Sequence, residues 1–186
     1  QRAAQVRDTL IARWAQLELP IAAAENAGAA DADLVVVATP WEAAASTALA
    51  AADRLEGKVV VSIANALARV GHEFQPLVPP RGSVAASVQA AVPRALVAAA
   101  LHHVPARELG DLRAAVQSDV LVCSDHPEAI EACLEVIGRI PDLRPLEAGE
   151  LSNAAPIEAF AAVLLQLNTR YRTRVAVRFT GIDLDR

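Results

Sequence analysis

The apolar positions of the chain form two patterns, short continuous runs and longer stretches with a helical period. Valine-rich runs bounded by polar residues are typical of strands buried on both faces of a parallel sheet. Apolar residues at i, i+3, i+4 and i+7 are typical of helices packed on such a sheet. The runs predict strands at 21–25, 34–38, 58–63, 95–101, 119–124 and 143–146. The periodic stretches predict helices at 1–18, 26–32, 41–55, 84–92, 125–137 and 152–168.

Strands and helices alternate along most of the chain. The pattern therefore predicts an α/β fold with a doubly wound, mainly parallel sheet. We place the sheet domain at residues 1–149 and the helical segment at 150–186. The apolar face of the last helix is wider than one contact with a sheet needs, which indicates a homodimer contact. Residues 71–83, with three prolines and two glycines, predict a loop.

The junction between the strand at 34–38 and the helix at 41–55 is the stretch around which the chain is organised. Thr39 is placed as an N-cap, Pro40 as the first helical residue, and Glu42 completes a capping box with Thr39. Such a junction leaves free backbone N–H groups at the carboxyl edge of the sheet, where open α/β sheets bind ligands. Any α/β protein has such junctions, so a ligand site also needs suitable residues from the neighbouring strands.

Other helix starts carry cap signals as well. Asp125 and Glu128 predict a second capping box. Ser83 is the expected cap of its helix, and Ser152 or Asn153 is the expected cap of the last one.

Composition narrows the classes of partner. Hydrophobic residues make up 54% of the chain and aromatic residues 3%, so the core must be built from Ala, Val, Leu and Ile. The formal net charge of −5, without a basic run, argues against nucleic acid or an anionic membrane as partner. No stretch has the length of a transmembrane helix and no leader opens the chain, so a cytoplasmic location is expected. Cys123 and Cys133 match neither a redox motif nor a zinc pattern and are predicted to be reduced core residues.

The histidines do not match a known catalytic or metal motif. His102 and His103 are adjacent at a predicted strand end, so their side chains are expected to point in opposite directions. We predict that one is a hydrogen-bonded structural residue, that the other is exposed, and that there is no metal site. Ser62 is interpreted as a polar spacer in its strand. No residue is assigned a role as catalytic acid or base.

Small, rigid or neutral residues follow the predicted strands instead. Thr39, Pro40, Asn65 and residues 104–106 lie just beyond the carboxyl ends of three strands. Such a surface suits the positioning of two flat rings face to face, where the cofactors supply the reactivity. There is no GxGxxG loop between a strand and a helix, and the chain starts at Gln1. We therefore expect either no dinucleotide binding or a dinucleotide-binding segment upstream.

Six sequence blocks stand in order along the chain: ATPWE, KVVVSIANAL, VPPRGSVAASVQ, ALHHVPA, DVLVCSDHPEA and LRPLEAGELSNAAPIEAF. Together they resemble the NADPH-dependent coenzyme F420 reductases, also called F420H2:NADP oxidoreductases, from the first helix to about residue 180. The resemblance implies a Rossmann-like NADP domain, a small helical part, and a deazaflavin lying over the nicotinamide between them. The family's first strand, glycine-rich loop and Ser-Arg pair for the 2′-phosphate have no match, so we expect the start of this domain to be missing.

The resemblance also implies which residues contact the cofactors, NADP(H) and coenzyme F420. The residues toward the nicotinamide are Thr39, Pro40, Asn65 and Ala106. The residues toward the deazaflavin are Val104, Ala106, Ala161 and Leu165. Arg2 lies toward the 2′-phosphate.

The activity implied by the resemblance is hydride transfer between C4 of the nicotinamide and C5 of the deazaflavin, with solvent supplying the ring-nitrogen proton. Two other classes stay open. One is another NADP-dependent reductase on the same scaffold, such as a pyrroline-carboxylate or ferric reductase relative. The other is a non-enzymatic nucleotide-binding or assembly protein, which the missing glycine loop would favour.

Overall fold

Seven short strands form the sheets of the computed structural model, which describes residues 2–113 and 115–183. Five of the strands form one sheet and two form a separate hairpin. The strands are β1 (Leu34–Val37), β2 (Val59–Ser62), β3 (Leu67–Val70), β4 (Glu73–Pro76), β5 (Leu96–Ala99), β6 (Ser118–Ser124) and β7 (Leu143–Glu147).

Helices precede, connect and follow the strands. They are α1 (Arg2–Arg13), α2 (Asn26–Ala29), α3 (Trp41–Leu49), α4 (Ala52–Leu55), α5 (Val84–Ala91), α6 (Ala106–Leu109), α7 (Pro127–Gly138) and α8 (Ala154–Tyr171). Two single 3₁₀ turns lie at Ala15–Leu17 and Leu151–Asn153. In the described part of the chain, no helix combines the length and the apolar content that crossing a membrane requires.

The large sheet has the order β1-β2-β5-β6-β7 and is mainly parallel, as predicted. β1 pairs with β2, β2 with β5, and β6 with β7 in parallel, whereas β5 and β6 are antiparallel. The carboxyl ends of β1, β2 and β5 therefore lie at the same sheet edge as the start of β6. The reversal of β6 was not predicted, because a run that is buried on both faces carries no signal of its direction.

The core lies on both faces of this sheet and is built from small residues. Val60 and Val61 are neighbours on β2 and point to opposite faces, as successive strand residues do. Val60 packs with buried residues of α3 and α5, and Val61 packs with buried residues of α7. Cys123 on β6 and Cys133 on α7 are buried free thiols, which confirms their prediction as reduced core residues. Burial raises the pKa of Cys123 to about 12 and that of Cys133 to about 11.

The local predictions fail in two places. Residues 21–25 do not form a strand. Within the predicted loop at 71–83, residues 73–76 are strand β4, which pairs with β3 to form an antiparallel hairpin. Gly71, at a φ of +61°, begins its two-residue turn, where glycine adopts a conformation that other residues rarely reach. This strand was not predicted because its sequence contains proline and polar residues. In the structure it is stabilised by α8, which packs on β4.

Two of the four predicted caps are wrong, and a third is correct in position only. The residue that precedes α3 is Pro40, one position later than predicted, and the buried Thr39 hydroxyl has no hydrogen-bond partner. His126 precedes α7, and the Asp125 carboxylate accepts a hydrogen bond from Leu151 N at 2.9 Å. Asn153 precedes α8 but makes no capping bond. The Ser83 cap is confirmed, since its hydroxyl accepts from Ala86 N at 2.9 Å.

Candidate functional site

A cavity of about 160 Å³ lies where the sheet edge meets α8 and the chain that follows α8. One wall comes from the segments after β2 and β5, and the other comes from α8 and Val175. The cavity unites five residues that sequence resemblance assigned to the cofactors. The lining residues are Asn65, His102, His103, Val104, Pro105, Ala106, Ala161, Leu164, Leu165, Asn168 and Val175.

Asn65 connects the two strand ends that form the sheet side of the cavity. Its side-chain nitrogen donates to the carbonyl of His102 at 2.9 Å. Its side-chain oxygen is buried and has no partner in the described residues. Asn65 therefore holds the segments after β2 and β5 together and keeps one hydrogen-bond acceptor free.

His102 and His103 both line the cavity, and each is 5% exposed. The prediction that one of them is exposed is therefore wrong. Leu101, at a φ of +62°, turns the chain two residues after β5, and both following histidines are buried. Sequence spacing alone could not show this, because the opposite orientation of neighbouring side chains holds only in a regular strand.

The two histidines are neutral at pH 7. Burial lowers the pKa of His102 to about 4, and it also lowers the pKa of His103. Nε2 of His103 lies 3.0 Å from the carbonyl oxygen of Asp119. A carbonyl only accepts, so Nε2 carries the hydrogen and Nδ1 of neutral His103 has a lone pair. Nδ1 of His103 has no hydrogen-bond partner in the described part of the chain. The backbone of Ile63 and Ala64 interacts with the His102 ring and partly offsets the lowering of its pKa.

The α8 wall is fixed by a buried carboxylate that sequence reasoning missed. Glu158 is 4% exposed, and its two oxygens accept from Val84 N at 2.8 Å and Ala85 N at 3.0 Å. These are the first two residues of α5. Burial raises the pKa of Glu158 to about 6, although both hydrogen bonds act in the opposite direction. A lone glutamate beside apolar Ile157 and Ala161 on a helix face was the available sequence signal.

The part of the cavity wall formed by the segment after α8 is fixed by a second buried carboxylate, Asp119. Sequence reasoning did not identify this residue either. Its oxygens accept from Arg144 at 2.6 and 2.7 Å, from Arg178 at 3.1 Å, and from Phe179 N at 2.6 Å. These contacts, with the Arg144 hydrogen bond as the largest cause, lower the pKa of Asp119 despite its burial. Val175 N, in the same returning segment, donates to the side-chain oxygen of Asn168 at 2.6 Å.

Three predicted site residues are not part of this cavity. Thr39 lines a separate groove of about 240 Å³ between α2, β1 and α3. Pro40 follows β1 at the same sheet edge and lines neither space. Arg2 lies on α1 beside a shallow surface pocket with Gln5 and Val6. Within residues 2–113 and 115–183, no three metal-ligating side chains form a cluster that could hold an ion.

Comparison with known proteins identifies the family of this chain. Residues 4–66 match the family described as NADP oxidoreductase, coenzyme F420-dependent. The F420-dependent NADP reductase of Methanocaldococcus jannaschii is 33% identical over 172 residues, which are 90% of this chain and 77% of that protein. The chain belongs to this family. The resemblance inferred from the six sequence blocks is thereby confirmed.

Two further proteins in the comparison are similar to this chain. The F420-dependent NADP reductase of Methanothermobacter thermautotrophicus is 32% identical over 159 residues, covering 83% of this chain and 68% of that protein. A crystal structure from Arthrobacter sp. FB24, described as a proposed F420-dependent NADP reductase, matches with a TM-score of 0.72 at 25% identity. That match covers 84% of this chain and 74% of the crystallised one. The predicted Rossmann-like α/β fold is confirmed.

Proposed function

We propose that the chain catalyses transfer of a hydride between NADPH and the deazaflavin coenzyme F420. Family membership gives the reaction class, since the relatives in the comparison carry the name F420-dependent NADP reductase. The observation that carries the proposal for this chain is the cavity between the sheet edge and α8, which unites Asn65, Val104, Ala106, Ala161 and Leu165. A second reductase chemistry or a purely structural role has no comparable support.

The residues of the cavity fit flat heteroaromatic rings. Its volume of about 160 Å³ is below the ~300 Å³ at which complete ligand pockets begin, so it receives ring portions and leaves the cofactor tails outside. The side-chain oxygen of Asn65 and Nδ1 of His103 are unpartnered acceptors at its wall. The other wall is apolar and contains Ala161 and Leu165. A ring with polar groups on one edge and apolar faces matches this arrangement.

The roles proposed for the residues are those that the family resemblance implies. Asn65 and Ala106 contact the nicotinamide, with Thr39 and Pro40 placing it from the end of β1. Val104, Ala161 and Leu165 contact the deazaflavin, and Ala106 contacts both rings. Arg2 contacts the 2′-phosphate. The bound cofactors supply the hydride donor and acceptor, and the chain holds them at reacting distance and excludes water from between them.

The two parts of the chain have different proposed tasks. Residues 1–149 hold NADP, and residues 150–186 hold the F420 side and contribute a homodimer contact. Apolar residues exposed on α8 and on the hairpin side support the dimer, and they include Phe160, Val163, Val70 and Val78. The proposed location is the cytoplasm. Sedimentation equilibrium measures the oligomeric state.

Ala106→Leu is the test of the proposed function. Ala106 is exposed at the cavity, so a leucine there occupies the space where both rings approach. A displacement of about 1 Å is expected to lower the rate on the order of 100-fold. The measurement is single-turnover hydride transfer from NADPH, followed by loss of the visible absorbance of oxidised F420. Ala12→Leu, the same change at an exposed position of α1, is the matched control.

The histidine variants separate ring positioning from acid catalysis. His102→Gln and His103→Gln are each expected to keep most turnover, because burial lowers the pKa of both histidines and so leaves little imidazolium at pH 7 to donate a proton. A folded histidine variant without activity, together with an active Ala106→Leu variant, would replace the positioning mechanism by a histidine acid. Circular dichroism checks the fold of every variant.

A further inference from the structure

Glu158 differs from its neighbours on the buried face of α8. The other buried residues of this helix are apolar, namely Ala154, Ile157, Ala161, Ala162 and Leu164. An ionisable side chain that is 96% buried is costly unless hydrogen bonds compensate its lost hydration. Because Glu158 is only 4% exposed, its side chain must be stabilised by the groups that it contacts.

The partners of Glu158 are the free N–H groups at the start of α5. Each carboxylate oxygen accepts one backbone hydrogen bond, from Val84 N at 2.8 Å and from Ala85 N at 3.0 Å. The next N–H, that of Ala86, goes to the Ser83 hydroxyl. The first-turn donors of α5 are thus satisfied by its own cap and by a residue 74 positions further along the chain. The positive end of the helix dipole adds to this attraction.

α5 is itself fixed to the sheet, so it is a rigid reference for α8. Val84, Ala85 and Val88 are buried. Gln89 donates to the carbonyl of Ala95 at 3.0 Å and accepts from Val97 N at 3.3 Å, next to and within β5. β5 leads directly into the sheet side of the cavity. The contact of Glu158 therefore relates α8 to the same strand that carries the opposite wall.

The contact residue and the cavity residues share one face of α8. Ala161 and Leu165 follow Glu158 by three and seven positions, which places them along the same side of a helix. Both line the cavity. We propose that Glu158 is a positioning residue for the binding of F420: through Val84 N and Ala85 N it fixes α8 along α5 and sets the distance between the two cavity walls. This inference rests on the proposed function.

Apolar packing alone would leave this distance less well defined. The α8 face is rich in alanine, and such surfaces fit against a neighbour in more than one register. Two directional hydrogen bonds to consecutive N–H groups are satisfied in one register only. The carboxylate thus contributes the placement of the helix, and the apolar residues contribute the burial of surface.

The test compares Glu158→Gln with the wild type in the binding of F420 and NADPH. Gln keeps the size of the side chain but replaces one acceptor by an NH₂ group, which cannot accept from Val84 N or Ala85 N. The dissociation constant for F420, measured by its fluorescence, is expected to rise about tenfold, as for loss of one hydrogen bond to a charged group. The constant for NADPH is expected to change less than about threefold. The KM for F420 rises accordingly, while kcat at saturation changes less.

Ile157→Val is the matched control. Ile157 lies in the same helical turn and packs at the same interface with Ala85, but the change leaves both hydrogen bonds intact. This variant is expected to lower the melting temperature without changing the ratio of the two dissociation constants. Glu158→Asp, with a carboxylate on a shorter chain, is expected to have an intermediate F420 constant, and it replaces the Gln variant if that protein does not fold.

Amide hydrogen exchange tests the contact independently of cofactor binding. Val84 and Ala85 amides are expected to exchange slowly in the wild type and faster in Glu158→Gln. An equal rise in both dissociation constants, or an unchanged F420 constant despite faster exchange, would show a structural role only and overturn the inference. A wild type that neither binds nor reduces F420 overturns the proposed function and this inference with it. An active wild type with an unchanged Gln variant overturns this inference alone.

Discussion

Asp119 and Glu158 are two buried carboxylates that each fix one side of the same cavity, and they do so with different partners. Asp119 accepts from two guanidinium groups and one backbone N–H, all belonging to β7 or to the segment after α8. Glu158 accepts from two backbone N–H groups and contacts no cation at hydrogen-bond distance in the described residues. Both side chains are almost completely removed from solvent.

The difference shows that burial alone does not decide the charge of a carboxyl group. Two arginines outweigh the lost hydration of Asp119 and lower its pKa. Two neutral donors do not outweigh it at Glu158, where the pKa rises to about 6. The charged Asp119 carboxylate and its arginines therefore hold the segment after α8 at every pH near neutrality. The α8 contact, in contrast, contains the Glu158 carboxyl group, which titrates close to neutral pH.

Asp119→Asn is expected to have the largest effect on stability. The amide leaves Arg144 and Arg178 without a negative partner and offers one acceptor where the carboxylate offers two. Loss of one member of a buried ion pair costs about 3 kcal/mol in the free energy of unfolding. Urea denaturation measures this difference.

Asp53→Asn is the control for that variant. Asp53 also faces an arginine, Arg94, at 3.6 Å, but its side chain is fully exposed. Exposed pairs contribute at most about 1 kcal/mol, so this change is expected to be nearly silent. Equal losses in both variants would mean that burial does not distinguish the Asp119 pairs.

The pH dependence of stability is expected to have opposite signs at the two carboxylates. The lowered pKa of Asp119 stabilises the fold above its unfolded pKa, and this stabilisation is lost as the pH falls through the folded value. The raised pKa of Glu158 makes a contribution that is full below the ordinary value of 4.5 and is lost as the pH rises through about 6. The shift of Glu158 corresponds to at most about 2 kcal/mol, at 1.36 kcal/mol for each pKa unit.

Unfolding free energies between pH 2 and 7 measure this difference. The loss caused by Asp119→Asn should grow as the pH rises to the ordinary value of 3.8 and stay nearly constant above it. The loss caused by Glu158→Gln should shrink as the pH rises from 4.5 through about 6. Parallel slopes for the two variants would contradict the contrast between charged and neutral partners.

Thr39→Val is expected to have the smallest effect. The Thr39 hydroxyl is buried without a partner, and it does not cap α3. Replacing an unsatisfied hydroxyl by a methyl group of the same shape should change the free energy of unfolding by less than about 0.5 kcal/mol. Thermal denaturation measures it, with Ser83→Ala as a control for a true cap. A loss of about 1 kcal/mol for Thr39→Val would restore its role as N-cap.

The parallel sheet was predictable because apolar runs and helical periods alternate from residue 34 onward. The hairpin of β3 and β4 was not, because its strands carry polar residues and proline and depend on α8 for burial. Cap prediction failed at Thr39 because the helix starts one residue later than the motif suggests, which moves the hydroxyl out of reach of the first-turn N–H groups.

The cavity residues and the carboxylates that fix them differ in how sequence could reveal them. Asn65, Val104 and Ala106 follow strand ends, so both their position and the family resemblance pointed to the sheet edge. Asp119 pairs with Arg144 and Arg178, which are 25 and 59 residues away. Glu158 accepts from Ala85 and Val84, which are 73 and 74 residues away. Contacts at such separations leave no local pattern in a single sequence.

The buried thiols of β6 and α7 give the molecule an internal reporter of opening. At a pKa of about 12 for Cys123 and about 11 for Cys133, almost no thiolate is present at neutral pH. Alkylating reagents and peroxides can therefore modify these residues only when β6 separates from its neighbours or α7 lifts from the sheet. The rate at which the native protein is alkylated therefore measures how often those openings occur, and no engineered label is needed.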